Sequence, residues 1–215
     1  GPSPALGIAG GSGGGGGLTS PFTGGAGNDS LIGGDGNDQF FGEAGNDTVD
    51  GGKGIDQVAY WNSNSSVVVN LVNGTATGSD IGNDTLISID EVVGSNYNDQ
   101  IYLSPSSPDA SANGLAGDDS LYGASKSEYF SGGAGNDFID GGDGSDTVWY
   151  SWNSPWNGVE PTGVNVDLNS GTAIDNYGNT DTLVSIENVQ GSESNDVIVG
   201  SSLSNNLQGY AGNDT

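Results

Sequence analysis

Between Gly24 and Ala59 four carboxylates, Asp29, Asp38, Asp47 and Asp56, stand nine residues apart. Each is the sixth residue of a unit opening on a glycine-rich turn: GGAGNDSLI, GGDGNDQFF, GEAGNDTVD and GGKGIDQVA. A second block, GLAGDDSLY, GASKSEYFS, GGAGNDFID and GGDGSDTVW, runs from Gly114 to Trp149 and sets Asp119, Glu128, Asp137 and Asp146 at the same phase. Carboxylates repeated at one fixed place beside turn carbonyls suit a hard, oxygen-seeking cation, and Ca²⁺ above others. Asn-Asp and Gly-Asp are also common turn formers. Turn formation explains one or two such dipeptides, but not an acid at one phase in unit after unit.

The bulk composition agrees. Against 28 acids stand two bases, Lys53 and Lys126, for a formal charge of −26. Such a surface repels DNA, RNA and anionic membrane, all of which demand basic patches. Hydrophobic residues make up 32% of the chain, a low share for a globular domain. Self-repulsion is expected to hold the metal-free chain open, so that folding is coupled to calcium binding. Cysteine and histidine are absent, which removes disulfides and the usual zinc and copper ligands. The stretch Gly10 to Gly14 matches G-x-S-x-G formally, but that nucleophile elbow needs a strand, a helix and a histidine. Glycosidase chemistry needs a cleft and a carboxylic acid of raised pKa, whereas these acids are expected at solvated, repeated turns filled by metal. The chain is expected not to be an enzyme.

A nine-residue period is too short for a helical hairpin and suits half a turn of a parallel β-solenoid. Glycine permits the tight turn. The residues after the acid form a short strand whose middle, apolar member points inward: Leu31, Phe40, Val49 and Val58, then Leu121, Phe130, Ile139 and Val148. Two units make one coil, so acids 18 residues apart stack: Asp29 with Asp47, Asp38 with Asp56, Asp119 with Asp137, Glu128 with Asp146. The unit carrying Glu128 has Lys126 where glycine is expected, which predicts a weaker site.

These units resemble the RTX, or haemolysin-type, calcium-binding repeats of secreted bacterial proteins, with the consensus GGxGxDxUx, where U is large and apolar. The resemblance implies a parallel β-roll that folds on meeting calcium outside the cell, by a type I secretion route. It implies as ligands the sixth-position acids and turn carbonyls, here those of Gly24, Ala26, Gly33, Asp35, Gly42, Ala44, Gly132 and Ala134. Family members that are enzymes carry catalysis in a separate domain, and none is visible here.

Along the chain, residues 1–20 read as a flexible glycine-rich linker or tag remnant. From Tyr60 to Ile101 the template loosens. Val67, Val69 and Leu71 alternate with polar neighbours, as in a half-buried strand, and coils are expected to continue with irregular loops. VVVNLVNGTATG and DTLISIDEVVGSNYNDQI return as VNVDLNSGTAID and DTLVSIENVQGSESNDVI at an offset of 97 residues. Asp84 thus maps to Asp181 and Asp99 to Asp196, all four being candidate ligands. Asp196 lies 18 before Asp214, a further candidate pair, while Asp99 to Asp119 carries a two-residue insertion. The domains expected are 21–112 and 113–215, two modules of one continuous solenoid.

The fold class expected is all-β, a right-handed parallel β-roll of two tandem modules binding several Ca²⁺ ions. The function expected is a calcium-stiffened segment of a secreted bacterial surface protein: an adhesin, S-layer or filament subunit. The alternatives are an accessory domain of a type I-secreted enzyme or toxin, or a calcium-dependent glycan-binding module using Tyr60-Trp61, Trp149-Tyr150, Trp152 and Trp156. The start at Gly1-Pro2 and the stop inside GYAGNDT read as a piece of something larger. The turn of Asp214 is expected to be completed by another chain's first turn, giving end-to-end self-association.

Overall fold

The computed structural model describes residues 21–107, 109–150 and 161–215. The linker expected at 1–20 and the candidate rings of Trp152 and Trp156 lie outside the described residues. Among the described residues every regular element is a β-strand. Outside two irregular stretches the chain passes alternately between two sheets.

The first sheet holds nine strands whose spatial order is their chain order, from Phe22–Ala26 and Gln39–Ala44 to Asn188–Gln190 and Asn206–Gln208. All its pairings are parallel. In the strict repeats the register follows the nine-residue unit, Phe22 opposite Phe40 and Phe40 opposite Val58. The second sheet holds twelve strands and is parallel through its repeat strands, as in Leu31 opposite Val49 and Leu121 opposite Ile139. Strand Ser111–Ala116 pairs on both sides, so the first sheet is continuous across position 112.

In the strict blocks each short strand turns its middle residue inward. Leu31, Phe40, Val49, Val58, Leu121, Phe130, Ile139 and Val148 are all buried and form one contiguous core with Val67, Val69, Val92 and Val189. Val68, between two buried valines, is exposed, the alternation its sequence shows.

The irregular stretches are not simple coils. Val67–Asn70, Thr75–Gly78 and Gly82–Ile87 form an antiparallel meander inside the second sheet, and Asn165–Asp167, Thr172–Ile174 and Thr180–Val184 form its counterpart. The expectation of a wholly parallel roll is corrected at these two places. The cause is local: Asn73-Gly74 and Ser170-Gly171 place glycine at φ 67° and 70°, which suits a tight hairpin turn. The last strand of the meander pairs with the preceding repeat, Val49 opposite Leu86, and the first with the following one, Val69 opposite Ile101. The parallel stacking therefore resumes on the far side. The two-residue insertion falls between Tyr102 and Ser111, because Glu91–Val93 and Gln100–Tyr102, the two strands before it, both pair their next-coil partners at an offset of 20.

Candidate metal centre

The acids of the repeats stand one above another as rungs, joined by a recurring bond: the backbone N–H of one acid donates to the carboxylate of the acid on the next coil. Asp29 donates to Asp47 at 2.8 Å, Asp38 to Asp56 at 2.8 Å, Asp119 to Asp137 at 2.9 Å and Glu128 to Asp146 at 2.8 Å. Asp196 donates to Asp214 at 3.0 Å, and Asp99 to Asp119 at 2.7 Å despite the insertion. Asp84 and Asp181 join by the same bond, from Asp47 at 3.0 Å and Asp137 at 3.1 Å. The meanders then interrupt the column, and Asp99 and Asp196 accept instead from the N–H of Val67 and Val164.

This bond uses one carboxylate oxygen. In the strict blocks seven carboxylates have a buried oxygen with no hydrogen-bond partner: Oδ2 of Asp29, Asp47, Asp56, Asp119, Asp137 and Asp146, and Oε2 of Glu128, whose Oε1 accepts the Lys126 N–H. An orphaned anionic oxygen in a protein interior is costly. Its cause lies mostly in the turn. Where the second residue of the unit is left-handed, as at Gly25, Glu43, Gly52, Leu115, Gly133 and Gly142, the carboxylate of that unit is an orphan. At Gly34, Ser95 and Ser192 the second residue is not left-handed, and its N–H donates to the carboxylate four residues on.

The Oδ2 of each unit's aspartate, orphaned or not, lies over the first glycine of its own unit, while at Gly123 the Gly141 carbonyl stands there instead of Glu128. A Cβ on Gly24 would fall 2.7 Å from the Gly42 carbonyl oxygen and 2.9 Å from Asp29 Oδ2; on Gly42 or Gly51 it would fall 2.6 Å from Asp47 or Asp56 Oδ2. Each such glycine thus opens a small cradle walled by a carboxylate, and at Gly24 by a carbonyl of the next coil as well. Of the carbonyls expected as ligands, those of Ala44 and Ala134 accept the N–H of Gly27 and Gly117 at 2.7 and 2.9 Å, and each retains a second lone pair.

The acids of the strict blocks are buried rather than solvated as expected, because the coils stack directly on their turns, and burial weakens them. It pushes Asp137 to about 7, Asp181 to about 8, with the Asp137 charge adding to it, and Asp119 to about 9, with Asp137 and Asp99 adding. In the other column burial, and then the neighbouring Glu128 carboxyl, raise Asp146 to about 7, while burial raises Asp56 to about 7 against the Asp38 N–H. A group of this kind needs either a proton or a cation. Among the described residues no three acidic side chains converge on one point, so the oxygens around each cradle come from carboxylates singly or in pairs together with backbone carbonyls. That donor set fits calcium, which takes six to eight oxygens in flexible geometry.

Two residues of the ladder are not evident from the unit template. Asp90 accepts the N–H of Asp56 at 2.9 Å, and Glu187 accepts that of Asp146 at 2.9 Å. They follow their partners by 34 and 41 residues, outside the glycine frame; their own separation of 97 is the signal that finds them. Tyr60 and Tyr150 are buried core residues, while Trp61 is exposed and its ring lies 4.8 Å from that of Phe41.

The fold and site define the class: an all-β chain of stacked parallel coils whose turns carry an oxygen ladder for a hard cation. The model of the RTX calcium-binding nonapeptide repeat matches four stretches, residues 23–58, 111–125, 122–152 and 187–215. The chain belongs to the RTX calcium-binding repeat family, and the repeats bind Ca²⁺. Comparison with curated proteins returned no match.

Proposed function

We propose that this chain is a calcium-stiffened structural segment of a secreted bacterial surface protein, of the adhesin, S-layer or filament-subunit kind. The seven buried carboxylate oxygens without a partner carry this reading. They are costly while charged and empty-handed, and become stabilising when calcium holds adjacent coils together. The ligands proposed are Asp29, Asp47, Asp56, Asp119, Glu128, Asp137 and Asp146, with the turn carbonyls around them. Calcium at the millimolar level found outside cells would fold the coils after export, in keeping with the weak affinity of extracellular modules. The winding proposed is right-handed, the hand that parallel crossovers take. No catalytic role is proposed for the acids. A thermal melt with and without calcium tests this function: a rise of tens of degrees on saturation supports a calcium-stiffened segment, and a midpoint unmoved by calcium counts against it.

One observation favours a second reading, glycan binding. Tyr129, Trp149, Asn113 and Gln190 line a groove of about 490 Å³ on the outer face of the first sheet, and aromatic faces with nearby amides suit sugars. Retention of a glycan on an array, lost in Trp149→Ala, supports this reading; an array without a hit counts against it.

A further inference from the structure

We propose that hydroxyl groups stand in for calcium at four rungs of the ladder, so that the chain takes its calcium in two separate blocks. This rests on the calcium reading above. In the strict repeats Asp47, Asp56, Asp119, Asp137 and Asp146 each have one carboxylate oxygen held by a neighbouring coil and the other orphaned, and Asp29 and Glu128 also carry an orphaned oxygen, while Asp38 Oδ2 accepts the Gly34 N–H. At the rungs on either side of each meander, both oxygens are occupied.

Asp84 Oδ1 accepts the N–H of Asp47, and its Oδ2 accepts the Tyr60 hydroxyl at 3.3 Å. Asp181 repeats this with Asp137 and with the Tyr150 hydroxyl at 3.0 Å. Both tyrosines are 3% exposed and belong to the core, so their rings are held and each hydroxyl is delivered to one oxygen. Beyond the meanders serine does the same work. The Ser95 hydroxyl donates to Asp99 Oδ1 at 2.8 Å while its N–H serves Oδ2, and Ser192 serves Asp196 likewise, both at 2.7 Å. Ser95 and Ser192 hold the second place of the unit, where most strict units have a left-handed residue that leaves the carboxylate orphaned.

The substitution is chemically coherent. A buried carboxylate oxygen is satisfied either by a cation or by a hydrogen-bond donor. Where a donor is built into the fold, no cation is required. Calcium then falls at Asp29, Asp47 and Asp56 in one block and at Asp119, Glu128, Asp137 and Asp146 in the other. The coils between them, with their meanders, are closed by tyrosine and serine.

The number of calcium ions per folded chain, counted by native mass spectrometry at saturating calcium, decides the matter. Asp→Asn keeps the shape and the carbonyl that accepts the N–H from the neighbouring coil, though at Asp99 and Asp196 its amide replaces the oxygen that takes the Ser95 or Ser192 N–H. Asp84→Asn, Asp99→Asn, Asp181→Asn and Asp196→Asn should each bind as many ions as the unaltered chain, while Asp47→Asn and Asp137→Asn should each lose at least one. Loss of an ion in any of the first four overturns the proposal. Should those four fail to fold, Tyr150→Phe and Ser192→Ala, which delete only the hydroxyl, should retain or exceed the original count, and a lower count overturns it. An unaltered chain that binds no calcium overturns the underlying calcium reading instead, a distinct result.

Discussion

Removing calcium at alkaline pH and then acidifying should fold the chain rather than unfold it. The reason is the direction in which burial moves the ladder. Asp137 titrates at about 7 in the fold against an ordinary 3.8, and it is 2% exposed. Between those values the folded chain holds a proton that the unfolded chain has released, so metal-free stability is full below 3.8 and falls as pH rises towards 7. At ~1.4 kcal/mol per pH unit, the change from pH 5 to pH 8 costs roughly 3 kcal/mol at this residue alone. Asp119 and Asp181, on the adjoining rungs, move the same way, to about 9 and about 8. They interact with Asp137, so the column titrates as a unit and the costs do not simply add. Against the 5–15 kcal/mol that holds a typical domain, even the single-residue figure is large. The assay is far-UV circular dichroism in EGTA, with urea titrations at pH 8 and pH 5, above the sequence pI of about 4.1. The β-sheet signal and the urea midpoint should both rise on acidification. A midpoint equal or lower at pH 5 would mean that the carboxylates are not held as buried, unpaired groups.

Other expected outcomes follow from packing and backbone. Phe130→Ala empties a fully buried position in the middle of the core and should cost about 3–5 kcal/mol, read as a lower urea midpoint in saturating calcium. Gly135→Ala places a Cβ at φ 144° against the Gly117 carbonyl; it should cost at least ~2 kcal/mol and lower calcium affinity by disturbing the turns of Asp119 and Asp137, both visible in a calcium titration of the melting temperature. Tyr150→Phe leaves Asp181 Oδ2 without its hydroxyl and should lower the melting temperature by an amount matching ~1–3 kcal/mol.

The repeat blocks were legible because a nine-residue period fixes three things at once: where the turn falls, which residue points inward, and which acid lies beneath which. Phe40 beneath Phe22 and Asp47 beneath Asp29 are consequences of counting. Counting failed where the chain left the period. The meanders hide in plain alternation, since Val67-Val68-Val69 reads equally well as a strand of a coil or of a hairpin; only Asn73-Gly74 distinguishes them. Asp90 and Glu187 belong to the ladder through space, across a meander that no fixed spacing spans. Among the glycine-framed aspartates Asp29 to Asp196, the division into orphaned and satisfied ones follows the φ of a single turn residue, and Glu43 and Leu115 take the left-handed value that glycine takes elsewhere. Their side chains give no hint of it.

Circular dichroism during a calcium titration reversed with EGTA at neutral pH reports whether calcium completes the carboxylate ladder and thereby the fold. The β-sheet signal should grow saturably as calcium is added and collapse when EGTA removes it. A β signal unchanged by EGTA would contradict the account.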